Sequence, residues 1–223
     1  QGGFMPAKRN KSIIISYKVL RRLIGILGMA LPVVLVLGGF LQRGKGIQGS
    51  ISSYYHTNMQ DVFVGTLWAV GLFLISYHGY DFQDNLITNV SGMFAIAVAL
   101  FPTGSVPDTT QPLGVFQLSP DLSGTLHVLW AFLFFLLLAY NACFLFTKTG
   151  TKQPGPKKLL RNTIYRACGI VILASLAGIV VYMLFLQGTI VSRWAPVLIL
   201  ETLALWAFGF SWLVKGETLF RDK

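Results

Sequence analysis

Apolar residues fall along this chain in six long runs separated by shorter polar segments. The runs cover residues 19–40, 62–77, 86–101, 124–147, 164–186 and 195–214. A helix needs about 20 mostly apolar residues to cross a bilayer; the second and third runs are the shortest. The intervening segments, such as PTGSVPDTTQPLGVFQLSPDLSG and TKTGTKQPGPKK, are rich in Gly, Pro, Ser and Asp. No internal repeat is evident. This pattern predicts an all-α, polytopic membrane helical bundle with six transmembrane helices.

Residues 19–214 make one transmembrane domain, with a basic segment at 1–18 and a short tail at 215–223. Residues 1–4, ahead of Met5, read as an expression-tag remnant, and the first run has no small-x-small cleavage site, so it reads as a retained span. KRNKSIIISYKVLRR mixes basic and apolar residues and is expected to lie along the membrane interface before turning into the first span. Pro32 is expected to kink that span, which packed neighbours tolerate.

Composition narrows the class. Of 223 residues, 54% are hydrophobic and 12% charged, about half the charge of a soluble domain. Such a chain cannot clothe itself in a water-compatible surface, which excludes a soluble enzyme, a DNA-binding domain and a disulfide-stapled secreted domain. Cys143 and Cys168 lie inside apolar runs and read as buried free thiols.

The net charge of +10 would ordinarily raise the question of nucleic acid. Its distribution gives a different answer. With the N-terminus inside, fifteen Lys and Arg fall on the inner side and only Arg43, Lys45 and Arg193 on the outer. The positive-inside rule then puts both termini in the cytoplasm of a cell whose plasma (inner) membrane holds the chain. Anionic lipid headgroups at the cytoplasmic face are the expected partner of the basic side.

Ionisable residues near hydrocarbon are the ones that need a reason. Three outer segments carry them: SISSYYHTNMQD with Ser52, His56 and Asp61; SPDLSGTLH with Asp121 and His127; and the sixth span with Glu201. Ser52 and His56 share one side of a helix. His56 and His127 with Asp121, Asp61 or Glu201 offer a two-histidine, one-carboxylate set suited to zinc, which would activate a water to attack an ester or amide. In that scheme His56, His127 and Asp121 hold metal, and Ser52, Asp61 and Glu201 act catalytically. Hydrated caps at a span's end are the plainer explanation of His56 and Asp121. Glu201, buried without a partner, would be costly, so it is expected to find one in His127, or else in Arg193. Both Glu201 and His127 should line one outward-opening pocket, with His56 and Asp61 folding over its mouth. On the inner side, SYHGYDFQDN places Asp81 and Asp84 to cap the next helix or to pair with a base of the fourth-to-fifth loop. Asn141 and Ser175 read as interhelical glue. No G-x-S-x-G elbow, S-x-x-K pair or phosphate-binding glycine loop is present.

The run ALFPTGSVPD, followed by GTLHVLWAFLFFLLLAY, resembles an uncharacterised family of six-span bacterial membrane proteins that share FP…D after the third span and a His opening the fourth. SIS in the first loop fits that pattern. The likeness covers 50–146 and implies no activity; here the acid comes late, at Asp108. SSYYHT with Asp61 is also similar, more weakly, to the superfamily of alkaline ceramidases, progestin-receptor-like and post-GPI-attachment hydrolases. That resemblance implies zinc binding and transition-state stabilisation by Ser52, His56 and Asp61. The chain departs from it in having six runs rather than seven and no H-x-x-x-H in the last. Two functions are thus open: a metal-dependent membrane hydrolase of a lipid ester or amide, and a non-catalytic receptor or carrier subunit for a lipid or small apolar molecule.

Overall fold

The computed structural model describes residues 11–41, 46–104, 111–149 and 155–218, with residues 11–16 described by backbone alone. Among the described residues six long α-helices form: α1 Lys11–Leu41, α2 Gln60–Ile75, α3 Phe82–Leu100, α4 Pro120–Tyr140, α5 Pro156–Val181 and α6 Pro196–Lys215. Each overlays one apolar run. Five-residue π-helical turns extend α4 through Asn141–Leu145 and α5 through Tyr182–Leu186.

Local chemistry sets the helix starts. α4, α5 and α6 each open on proline, whose fixed φ and missing N–H suit the first helical position. Asp81 caps α3 by accepting from Asp84 N at 2.9 Å. α1 is continuous from Lys11, so the described part of the basic stretch is helical and runs unbroken into the first apolar run; residues 1–10 lie outside the described part. Pro32 is accommodated inside α1.

Among the described residues four stretches are long and apolar enough to cross a membrane: Tyr17–Leu41, Pro120–Leu145, Pro156–Leu186 and Pro196–Lys215. α2 is apolar but has 16 residues. α3 has 19 and is more polar. Large apolar side chains such as Leu37, Phe40, Met93, Phe144, Ile170 and Phe185 point outward and are exposed, the pattern of a lipid-facing surface. The chain is an integral membrane protein.

Consecutive helices pack side by side, and α6 closes back onto α1. The result is a ring of six helices around a core that includes Leu31, Leu35, Leu67, Phe134, Leu205 and Phe208. Two crossings are close enough to need glycine. A Cβ on Gly92 would meet Gly71 O at 2.5 Å, and one on Gly209 would meet Gly25 O at 2.6 Å. Small residues at these positions let the α2–α3 and α1–α6 backbones touch.

One end of the ring is basic. There Lys18 bonds Glu217 at 2.6 Å, Arg21 and Arg22 donate to the Lys215 and Gly216 carbonyls, and the buried Lys215 ammonium lies 4.9 Å from the Tyr80 ring centre. Lys148, just beyond α4, donates to Asp81 at 2.8 Å and to the buried Asp84 at 2.6 Å. Both expectations for this turn therefore hold together: Asp81 caps α3 and also pairs with a base of the fourth-to-fifth loop. Cys143 and Cys168 are free thiols; Cys168 is buried as expected, whereas Cys143 is only half-buried.

Candidate functional site

The opposite end carries the histidines. α3 stops at Leu100 because Pro102 cannot continue it, and three successive carbonyls then point away from the helix. Each receives a different side chain. His127 Nδ1 lies 2.6 Å from Phe101 O, Ser123 Oγ donates to Pro102 O at 2.7 Å, and His56 Nε2 lies 2.7 Å from Thr103 O. A carbonyl only accepts, so the proton sits on His127 Nδ1 and on His56 Nε2. Gly124 fits against Gly104, where a Cβ would come within 2.8 Å of the Gly104 nitrogen. The start of α4 is thereby fastened to the end of α3.

The first loop is fastened to α6 in the same manner. A short 3-10 helix, Ser52–His56, follows residues 49–51. Leu198 N donates to Gly49 O at 3.0 Å, Ile51 N to a Glu201 carboxylate oxygen at 2.5 Å, and Ser52 Oγ to the other oxygen at 3.3 Å. Leu198 and Glu201 are three apart on one face of α6. The carboxylate thus caps the opening of the 3-10 helix, and backbone and hydroxyl donors compensate its burial.

These two fastenings border one cavity of about 450 Å³ between α4, α5 and α6. Ser50, Ser52, Thr103, His127 and Glu201 form its polar end. Val128, Phe132, Phe135, Ile179, Val180 and Met183 supply apolar walls. Val128, Phe132, Val180 and Met183 also lie on the exposed, lipid-facing surface. Glu201 further borders a second void of about 30 Å³ toward the ring centre, room for about one water.

The expectation that Glu201 and His127 line one pocket is met, but the two do not bond each other. Glu201 bonds Ile51 and Ser52, His127 bonds Phe101, and Arg193 is exposed on the loop before α6. His127 is 2% exposed and its Nε2 has no hydrogen-bond partner. His56 is not among the residues lining the cavity; it bonds the carbonyl of Thr103, which is. Asp61 is exposed in the first turn of α2 and does not cover the mouth. Asp121 is exposed in the first turn of α4, where a carboxylate complements the helix dipole. Consequently the expected zinc set does not assemble: among the described residues no three His, Cys, Asp or Glu side chains gather as a metal site. Asp121 and His127 stand on α4 and His56 on the 3-10 helix, and their polar atoms serve separate ends. Asp108, part of the FP…D pattern, lies outside the described residues.

Ser123 is the residue the sequence reading passed over. It stands four before His127 on the same face of α4, and that spacing was a usable signal. No family model, curated protein or solved structure matches this chain.

Proposed function

We propose that this protein is a non-catalytic membrane receptor or carrier subunit that holds an amphipathic molecule in the cavity between α4, α5 and α6. One observation carries the reading: a single cavity joins a polar end, at Ser52, His127 and Glu201, to apolar walls on helices that face lipid. Small-molecule sites occupy about 300–1,000 Å³ and are mostly apolar, with a few placed polar groups. A chain dissolved in the bilayer enters between α4 and α5 without crossing water, leaving its head against the polar end. The charge distribution supports an orientation with the basic end, and both termini, at the cytoplasmic leaflet of the plasma membrane among anionic headgroups. The cavity then opens toward the outer leaflet.

Extraction of the purified protein with organic solvent, followed by mass spectrometry, tests the reading. The wild type is expected to carry a stoichiometric amphiphile, and Ala131→Phe, which fills the cavity wall, to carry little. Equal retention by both proteins overturns the proposal.

The hydrolase reading keeps one observation in its favour: Ser52 Oγ bonds a carboxylate inside a cavity that His127 also lines. The bond order is that of a cap, since the histidine engages Phe101 rather than the serine. Hydrolysis of a long-chain ester abolished by Ser52→Ala would favour it.

A further inference from the structure

The polar end of the cavity holds two groups that can only accept, the Glu201 carboxylate and His127 Nε2, beside hydroxyls that both donate and accept, and, among the described residues, no lysine or arginine. Ile51 and Ser52 occupy part of the Glu201 carboxylate, and a carboxylate has about four lone-pair positions, so capacity remains on the cavity side. Among the described residues no lysine or arginine pairs with Glu201 or lines the cavity. His127 Nε2 is a second acceptor. It is buried, its sister nitrogen is committed to Phe101, and it has no partner of its own.

We infer that the occupant is an unphosphorylated, single-chain amphiphile whose head donates hydrogen bonds, and that a primary ammonium is preferred to a hydroxyl. This rests on the cavity being a binding site, as proposed above. A phosphate or carboxylate head would bring negative charge against Glu201 with no described lysine or arginine to balance it, and would leave the His127 Nε2 lone pair unsatisfied. A donor head satisfies both His127 and Glu201. An ammonium does more: it supplies the counter-charge that this buried carboxylate lacks within the protein. The volume of about 450 Å³ lies toward the small end for ligand sites, which fits one chain better than two.

The test uses the whole chain, delipidated and held in detergent-free amphipathic polymer at neutral pH. Four probes share a twelve-carbon chain: dodecylamine, 1-monolauroylglycerol, lauric acid and dodecyl phosphate. Binding is read as displacement of a fluorescent dodecyl chain from wild type, from Ala131→Phe and from Glu201→Gln. Dodecylamine is expected to bind most tightly and the monoglyceride next, with both acids weaker than the amine by about tenfold or more. Glu201→Gln, whose amide oxygen still accepts from Ile51, is expected to erase the amine's advantage over the monoglyceride. If that variant does not fold, the wild-type ranking decides alone. Equal binding of all four heads, or tightest binding by an acid, overturns the inference while leaving the cavity a binding site. An unchanged amine preference in a folded Glu201→Gln protein overturns it too. Binding that Ala131→Phe leaves untouched, or no displacement by any probe, overturns the site itself.

Discussion

Ser123 is wholly buried and gives its hydroxyl proton to Pro102 O, a carbonyl that no helix or strand would otherwise satisfy. Ser123→Ala therefore orphans a buried acceptor and is expected to cost about 1–2 kcal/mol, read as a lower unfolding temperature in detergent. Thr125→Ala, which removes an exposed hydroxyl bonded one turn back to Asp121 O, is the matched control and should stay within about 0.5 kcal/mol. The contrast shows what was legible at this scale. Glu201 and His127 were visible as ionisable residues in apolar runs, and the cost of burying them correctly implied partners. Those partners are Ile51 N, Ser52 and Phe101 O, and every residue carries backbone groups, so no sequence signal singles out the ones used. Two histidines near carboxylates suggested zinc for the same reason: the competing carbonyls of 101 and 103 cannot be seen until the chain is folded. The FP and His positions that carried the family resemblance have a structural use, since they fasten α4 to α3.

At the scale of elements, the turn between α2 and α3 joins the start of one helix to the end of another through Lys148. The lysine's hydrogen bond, then the Asp84 amide, hold the Asp81 carboxyl below the usual carboxylate range. For Lys148 itself burial pulls the ammonium down, but hydrogen bonds to Asp81 and Asp84 outweigh it and the net displacement is upward. The signs are opposite. Asp81's contribution is present above an ordinary carboxylate pKa of about 4 and fades as pH falls through its lowered native value. Lys148's is complete below an ordinary lysine value of about 10.4 and fades as pH rises through its raised one. Lys148→Met leaves the buried Asp84 with only its Tyr80 N–H bond and is expected to cost about 2–3 kcal/mol near neutrality. Melting curves of wild type and variant should converge at the acid and alkaline extremes; a gap independent of pH would contradict the ion-pair account. The Gly71–Gly92 crossing yields a second expectation. Gly92→Leu must push α2 off α3 and should cost about 3 kcal/mol, whereas leucine at the open Gly65, which has no neighbour within 4 Å, should be tolerated. Helix positions were readable from apolar runs, but these crossings were not, because a glycine in an apolar run does not announce which helix it will touch.

For the molecule as a whole, six apolar runs were enough to foresee six helices, and the asymmetry of Lys and Arg was enough to foresee which ends lie together. The ring order needed coordinates, since short connections make neighbours of consecutive helices but do not oblige α6 to return to α1. Orientation is open to direct measurement. In a variant lacking Cys143 and Cys168, a cysteine at the exposed Val115 should react with an impermeant maleimide in intact cells, and one at Gly155 only after permeabilisation; the reverse pattern would invert the proposed orientation. The bond from Lys18 to Glu217 has one more consequence. Because the first and last helices meet side by side at the basic end, the order in which the chain visits the ring is a matter of where it is cut. A short linker across that junction, with a new opening between α4 and α5, would give a circularly permuted chain in which every described helix keeps its neighbours in the ring. The contact of the first described helix with the last makes connectivity in this ring separable from architecture.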